Sequence, residues 1–217
     1  MIEIKNLEKQ FKNELVIKYR DFKFENGKKY ILLGASGCGK STLLNMISGI
    51  LSPTSGEIYI DNDLMNNKSQ KEKDLFRINN IGYIFQDFKL IDEMTVLDNI
   101  NILKLEGIDT KDGIELLKSL SMYEKRGKKI KELSGGEKQR VAIVRALVKS
   151  PNIILADEPT GNLNFSIGEK VIEELVKYSE NKTLIVVSHD ERLTKYFDYV
   201  IDMNEMTSQS EREVQNV

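Results

Sequence analysis

Nine consecutive residues, Gly34-Ala35-Ser36-Gly37-Cys38-Gly39-Lys40-Ser41-Thr42, combine three glycines with a lysine and two hydroxyls directly after it. Glycine tolerates φ > 0, so such a run can curl and bring several backbone N–H groups toward one point. That is chemistry for an anion. Lys40 adds a mobile positive charge suited to the outer phosphates of a nucleotide, and Ser41 a hydroxyl for the magnesium ion that travels with them. Two adjacent carboxylates, Asp157 and Glu158, stand before Pro159. Successive strand residues point opposite ways, so the two acids cannot do the same job. Asp157 is placed to hold magnesium, commonly through its water, and Glu158 to polarise an attacking water as general base. The plain alternative is a surface acid pair at a strand end.

A third stretch, Leu133-Ser134-Gly135-Gly136-Glu137-Lys138-Gln139-Arg140, opens a long helical pattern. Ser134 with Glu137 fits a capping box. The two glycines cost helix stability and leave bare N–H groups at a positive helix end. This makes a second phosphate-binding surface, yet one domain binds one triphosphate at its own loop. The simplest use of Ser134, Gly135, Gly136 and Glu137 is to meet a nucleotide held by another subunit.

The elements that must position these groups are legible around them. The apolar run Tyr30-Ile31-Leu32-Leu33 predicts a buried strand before the glycine loop, and Leu43, Leu44, Ile47 and Leu51 predict a helix after it. Ile153-Ile154-Leu155-Ala156 and Thr183-Leu184-Ile185-Val186-Val187 read as buried parallel strands. Ligands of α/β sheets sit at the carboxyl ends of such strands, where Asp157 and Glu158 fall. Residues 2–7 and 15–24 alternate and predict a small antiparallel layer with one wet face, and 57–61 reads as a further alternating strand. A capping box at Ser69/Glu72 starts one helix, and another starts at Thr95 with Asp98 three residues on. Residues 87–132 read as a helical insert, with 125–131 as a basic, solvated linker. The α/β core then spans 1–86 and 133–203, and 204–217 reads as a frayed polar tail.

At this point the chain resembles an ABC transporter nucleotide-binding subunit, over roughly residues 1–203. The resemblance makes 34–42 the Walker A loop, with Gly34 through Thr42 around the phosphates, Leu133 to Gln139 the signature motif, and Ile153 to Glu158 the Walker B strand. It implies a glutamine at Gln86 that contacts magnesium and senses a membrane partner, a switch histidine at His189 that reaches the γ-phosphate, and an aromatic ring at Phe11 that stacks on adenine. By its own surroundings Phe11 reads as ordinary packing. The implied fold is α/β: a P-loop NTPase core with a mostly parallel sheet, a small antiparallel β layer and an inserted α-helical subdomain. The implied activity is ATP hydrolysis in a head-to-tail homodimer around two magnesium-bound ATP molecules, coupled to a separate permease docked near Gln86 and the helical insert.

The phrase Ala156-Asp157-Glu158-Pro159-Thr160-Gly161-Asn162-Leu163 resembles the branch that serves lipoprotein release, macrolide and peptide-antibiotic export or resistance, and the cell-division complex. Within it, Phe85-Gln86-Asp87-Phe88-Lys89-Leu90 looks closest to the division member, although antibiotic-resistance members carry similar text, and the resemblance implies a permease that need not pass a substrate through a pore. Asn164 stands where the family usually has aspartate. Asn and Asp cap helices about equally well, so the fold tolerates the swap, while a charge is lost at the expected dimer seam.

Bulk properties agree with this. The 217 residues carry 32 basic and 34 acidic side chains, a net charge of -2, so charge makes no case for nucleic acid as a partner. Cys38 is the single cysteine, which excludes an intrachain disulfide and fits a reducing compartment. No stretch approaches the ~18 apolar residues of a membrane span, and Met1 to Lys5 alternate rather than form a signal peptide. The expectation is a protein at the cytoplasmic face of the membrane, held there by its permease. A two-domain translation factor or a coiled-coil repair ATPase of the same family would need features this chain does not have. A clamp that holds ATP without turnover is disfavoured by Glu158 and His189.

Overall fold

The computed structural model describes residues 1–12, 15–161 and 163–211. The chain opens with β1 (Ile2–Gln10), β2 (Leu15–Tyr19), β3 (Phe22–Phe24) and β4 (Lys29–Leu33), then α1 (Lys40–Ile47). There follow β5 (Ser55–Ile60), β6 (Asp63–Leu64), α2 (Gln70–Asn80), β7 (Ile81–Ile84), α3 (Val96–Asn101), α4 (Gly113–Ser119) and α5 (Gly135–Leu147). The last part holds β8 (Ile153–Asp157), α6 (Phe165–Tyr178), β9 (Thr183–Ser188), β10 (Tyr199–Asp202), α7 (Met203–Met206) and β11 (Thr207–Glu211).

Two sheets carry the architecture. One is parallel, in the order β10-β4-β9-β8-β7. The other is antiparallel, in the order β11-β2-β1-β5-β6, with β3 also paired to β1. The continuous apolar runs of the parallel sheet have a direct physical cause: both its faces are covered. Alternate residues go to different cores. Tyr30, Leu32, Leu155, Ile185 and Val187 join α1 and the antiparallel sheet. Ile31, Ile154, Ala156, Leu184 and Val186 join the helices α3 to α6. α1 lies between the sheets, with Leu43, Leu44 and Ile47 fully buried. Each such side chain contributes about 1.5–3 kcal/mol by leaving water.

The helix starts follow local chemistry. Ser69 and Glu72 cap α2, and Thr95 and Asp98 cap α3, as reciprocal capping boxes. Asn164 caps α6: its Oδ1 accepts the Ile167 N–H at 3.0 Å, so Asn does serve as the helix cap at this position.

Two expectations are corrected. The stretch 204–211 is not a frayed tail. Residues 203–206 form α7, and β11 pairs antiparallel with β2, Thr207 opposite Tyr19 and Gln209 opposite Ile17. The remaining tail positions, 212–217, lie outside the described residues. Nor is 125–131 a mere solvated linker. The carbonyls of Lys128 and Arg126 accept the N–H groups of Val96 and Leu97 at 2.9 and 3.0 Å, and Ile130 is fully buried. Lys128 and Lys129 are exposed, Lys125 pairs with Glu137 and Arg126 lies over the Tyr123 ring, while the backbone completes the first turn of α3.

Candidate nucleotide site

The loop 34–39 leaves the carboxyl end of β4 and runs into α1. Gly37 and Gly39 take φ of 82° and 103°, a left-handed geometry that glycine adopts without strain. A Cβ on Gly39 would lie 2.7 Å from the Tyr19 hydroxyl, so bulk is excluded there as well. α1 begins at Gly39 with no side-chain cap and no acid in its first turn, whereas α2 and α3 have both. Its leading N–H groups and its dipole are therefore left for an anion.

Lys40 is 7% exposed, and its Nζ donates to the carbonyls of Gly34 and Ala35 at 2.6 and 3.0 Å. Ser41 Oγ donates to Asp157 Oδ1 at 2.8 Å. Burial raises the Asp157 pKa above the ordinary carboxylate value. The Ser41 hydrogen bond opposes the shift, Glu158 nearby adds to it, and Lys40 opposes it.

Glu158 follows β8 with φ of 46°, unusual for a residue with a Cβ. Its N–H donates to the Val187 carbonyl at 3.0 Å, which ties this turn to β9. Holding a non-glycine residue there costs on the order of 1–2 kcal/mol, a type of strain that clusters at functional sites. The turn brings its carboxylate to His189, with Oε2 and Nδ1 3.0 Å apart. The His189 side chain is 70% exposed, the Glu158 side chain 13%.

These groups converge. A cleft of about 310 Å³ is lined by Ser36, Gly37, Gly39, Lys40, Ser41 and Thr42, together with Gln86, Glu158, Gly161 and His189. Asp157 adjoins it through Ser41. The other members of the loop, Gly34, Ala35 and Cys38, line the adjoining cavities of about 360 and 400 Å³, which share His189 or Ser36 and Gly37 with the cleft. The donors Ser41, Asp157 and Gln86 are all of the oxygen type. Such a set suits a small hard cation that takes its remaining ligands from phosphate and water. It does not suit a zinc-type site, and among the described residues no group of three or more His, Cys, Asp or Glu could hold a metal.

Two predicted pieces lie elsewhere. Phe11 is half-buried against the core of the antiparallel sheet and does not line the cleft. Ser134 to Glu137 form the head of α5, also away from it. There Ser134 N–H donates to Glu137 Oε2 at 2.9 Å, which provides the cap. Gly136 has a packing reason besides: a Cβ on it would lie 2.9 Å from Leu163 of the turn after β8.

Some contacts at the site carry little sequence signal. Arg145 of α5 donates through both terminal nitrogens to the carbonyls of Phe88 and Lys89, just beyond Gln86. Phe88 and Lys89 both have positive φ, 61° and 49°. An arginine inside an amphipathic helix gives no hint of this target; a polar residue on a largely buried helix face was the only clue.

Comparison with known proteins decides the family. The profile described as ABC transporter matches residues 17–161. The chain belongs to the ABC transporter family. This ABC ATP-binding domain is 39% identical to the uncharacterized ABC transporter ATP-binding protein MJ0796 of Methanocaldococcus jannaschii, over 93% of this chain and 92% of that protein. It is 37% identical to the lipoprotein-releasing system ATP-binding protein LolD of Bacteroides fragilis, over 94% of this chain and 97% of LolD. The dimeric structure of MJ0796 superposes with a TM-score of 0.86 at 35% identity, covering 98% of this chain and all of that one. The MJ0796 dimer in a post-hydrolysis state with ADP and Pi gives 0.85 at 34% identity. The ABC ATPase fold and ATP hydrolysis as the activity follow from this kinship. No helix among the described residues is long and apolar enough to cross a membrane.

Proposed function

We propose that this ATPase binds ATP with magnesium on the loop 34–42, closes head to tail on a second copy, and works a separate membrane permease in the release or export of a lipoprotein, peptide or antibiotic. The observation that carries the site assignment is the convergence of Lys40, the Ser41–Asp157 pair, the Glu158–His189 pair and Gln86 on one cleft. The MJ0796 dimer supports the closure, and kinship with LolD supports the class of work. The stretch Phe85 to Leu90 favours a second reading, a cell-division-type complex that signals through its membrane partner without transport.

The chemistry follows from the chain's own groups. The N–H groups at the head of α1 take the phosphate oxygens, and Lys40 exchanges two neutral carbonyls for charged oxygens, a stronger bond. Magnesium, when bound, neutralises charge on the phosphates; Ser41, Asp157 and Gln86 are the side chains that would hold it. Glu158 takes the proton of the water that attacks the γ-phosphorus. His189 orients that carboxylate and reaches toward the γ-phosphate. Ser134 and Gly136 of a second copy would close the site from the far side, with Phe11 nearest the base.

The test is Glu158→Gln. ATP binding should persist, turnover should fall by on the order of a hundredfold or more, and gel filtration with ATP should show a dimer. Undiminished hydrolysis in that variant discards the assignment.

A further inference from the structure

The phosphate loop is gripped from outside by side chains of the antiparallel sheet. Gln209 Nε2 on β11 donates to the Gly37 carbonyl at 2.9 Å. The Tyr19 hydroxyl on β2 donates to the Gly39 carbonyl at 2.9 Å. Thr207 Oγ1 lies 3.3 Å from the Cys38 carbonyl and 2.7 Å from that of Met203. One hydroxyl proton serves one acceptor at a time, and Met203 is the nearer. Gln209 and Tyr19 are thus the two firm grips, and the β11–β2 ladder sets both: Gln209 stands two residues along from Thr207, which faces Tyr19.

Peptide planarity gives these grips a consequence. In a trans peptide the carbonyl of one residue and the N–H of the next point in opposite directions. The Gly39 carbonyl takes the Leu43 N–H of α1 and the Tyr19 hydroxyl together, so the Lys40 N–H points the opposite way, out of the head of α1. Holding the Gly37 carbonyl on Gln209 fixes the plane that carries the Cys38 N–H. That N–H now closes on the Ala35 carbonyl at 3.3 Å, a long bond that a phosphate oxygen can replace. The Gly39 carbonyl also accepts the Leu43 N–H at 2.9 Å, so Tyr19 reinforces a plane that α1 already holds. Without Gln209 the plane beside Gly37 would rotate, and ordering it would weaken binding.

We propose that Gln209, seconded by Tyr19, is a positioning residue for nucleotide binding: from β11 it pre-sets the amides of the loop 34–42 for the phosphates. The proposal rests on the reading of that loop as the phosphate site. Gln209 touches only the outer face of the loop, so it serves ground state and transition state alike. Such uniform binding moves KM and leaves kcat unchanged.

The experiment uses the full chain with magnesium and ATP, and compares wild type, Gln209→Met, Tyr19→Phe and Lys40→Ala. The first two are neutral and close in size, so added charge does not enter. Gln209→Met should weaken ATP binding and raise KM by roughly tenfold, with kcat at saturation and the nucleotide-free Tm unchanged. Tyr19→Phe should act in the same direction, and the double variant should bind worse than either. Lost binding in Lys40→Ala beside wild-type binding and KM in Gln209→Met overturns the grip alone. A nucleotide-free Tm of Gln209→Met that falls in step with its affinity also overturns it, since the role would then be structural. Wild-type ATP binding in Lys40→Ala overturns the phosphate-loop reading and the grip with it.

Discussion

Ser41 and Asp157 are joined by a hydrogen bond of 2.8 Å that ties the first turn of α1 to the end of β8. Asp157 is 7% exposed, and its Oδ1 accepts this hydroxyl. A carboxylate kept so dry is held at a cost, and burial raises its pKa accordingly.

Asp157→Asn tests that cost. For a carboxyl whose folded pKa lies above its unfolded value, the folded state binds more protons in the interval between the two. Stability therefore falls as pH rises through that interval and stays lower above it. Asparagine keeps an oxygen for Ser41 and removes the charge. At neutral pH without nucleotide the variant should melt higher, by on the order of 1 kcal/mol, or roughly 2–4 °C for a chain of this length. The gain should shrink as pH drops below the ordinary carboxylate range, and ATP turnover should be lost. A nucleotide-free Tm equal to wild type at every pH would show that Asp157 carries no such burden.

Arg145→Met tests the link between α5 and the segment after Gln86. Two carbonyls at left-handed residues would lose a charged donor. The expected loss is about 1–3 kcal/mol of stability by chemical denaturation. Hydrogen exchange at residues 86–90 should rise more than in the strands β4 and β8, because the segment is released locally. Uniform exchange across the chain would mean that Arg145 only packs.

Glu137→Gln tests the cap of α5. Lys125 beside Glu137, together with the Ser134 N–H, lowers the Glu137 pKa to about 2 from the ordinary 4.5. A depressed carboxyl pKa stabilises the fold above the unfolded value, and the contribution is lost as pH falls through the folded one. Glutamine keeps the bond from Ser134 and loses the charge. The variant should be less stable than wild type by about 1 kcal/mol at pH 7. Thermal melts between pH 4.5 and about 2 should show the gap closing. A gap independent of pH would assign the effect to shape rather than charge.

The parts of the fold that could be read from sequence are those whose cause is local. The loop 34–42, the runs of β4, β8 and β9, and the capping boxes of α2 and α3 each declare themselves within a dozen residues. The missed parts are made by distant partners. Thr207-Ser208-Gln209-Ser210-Glu211 has no apolar residue, and it is a strand because β2 offers it a ladder. The positive φ of Glu158 depends on its bond to Val187 of β9. Family resemblance singled out His189 for the γ-phosphate but not its contact with Glu158, since a lone histidine after a strand does not name its neighbour. The backbone role of 125–131 was hidden by its charged side chains.

The place of β4 in its sheet bears on how the protein is made. β4 lies between β9 and β10, so Leu33 finds its neighbours only at Ser188 and Asp202. On the ribosome, Tyr30, Ile31 and Leu32 emerge long before either flank exists, a delay on the order of ten seconds at ordinary elongation rates. Until then an apolar ribbon waits unpaired in the nascent chain, the kind of surface that aggregates and that chaperones bind.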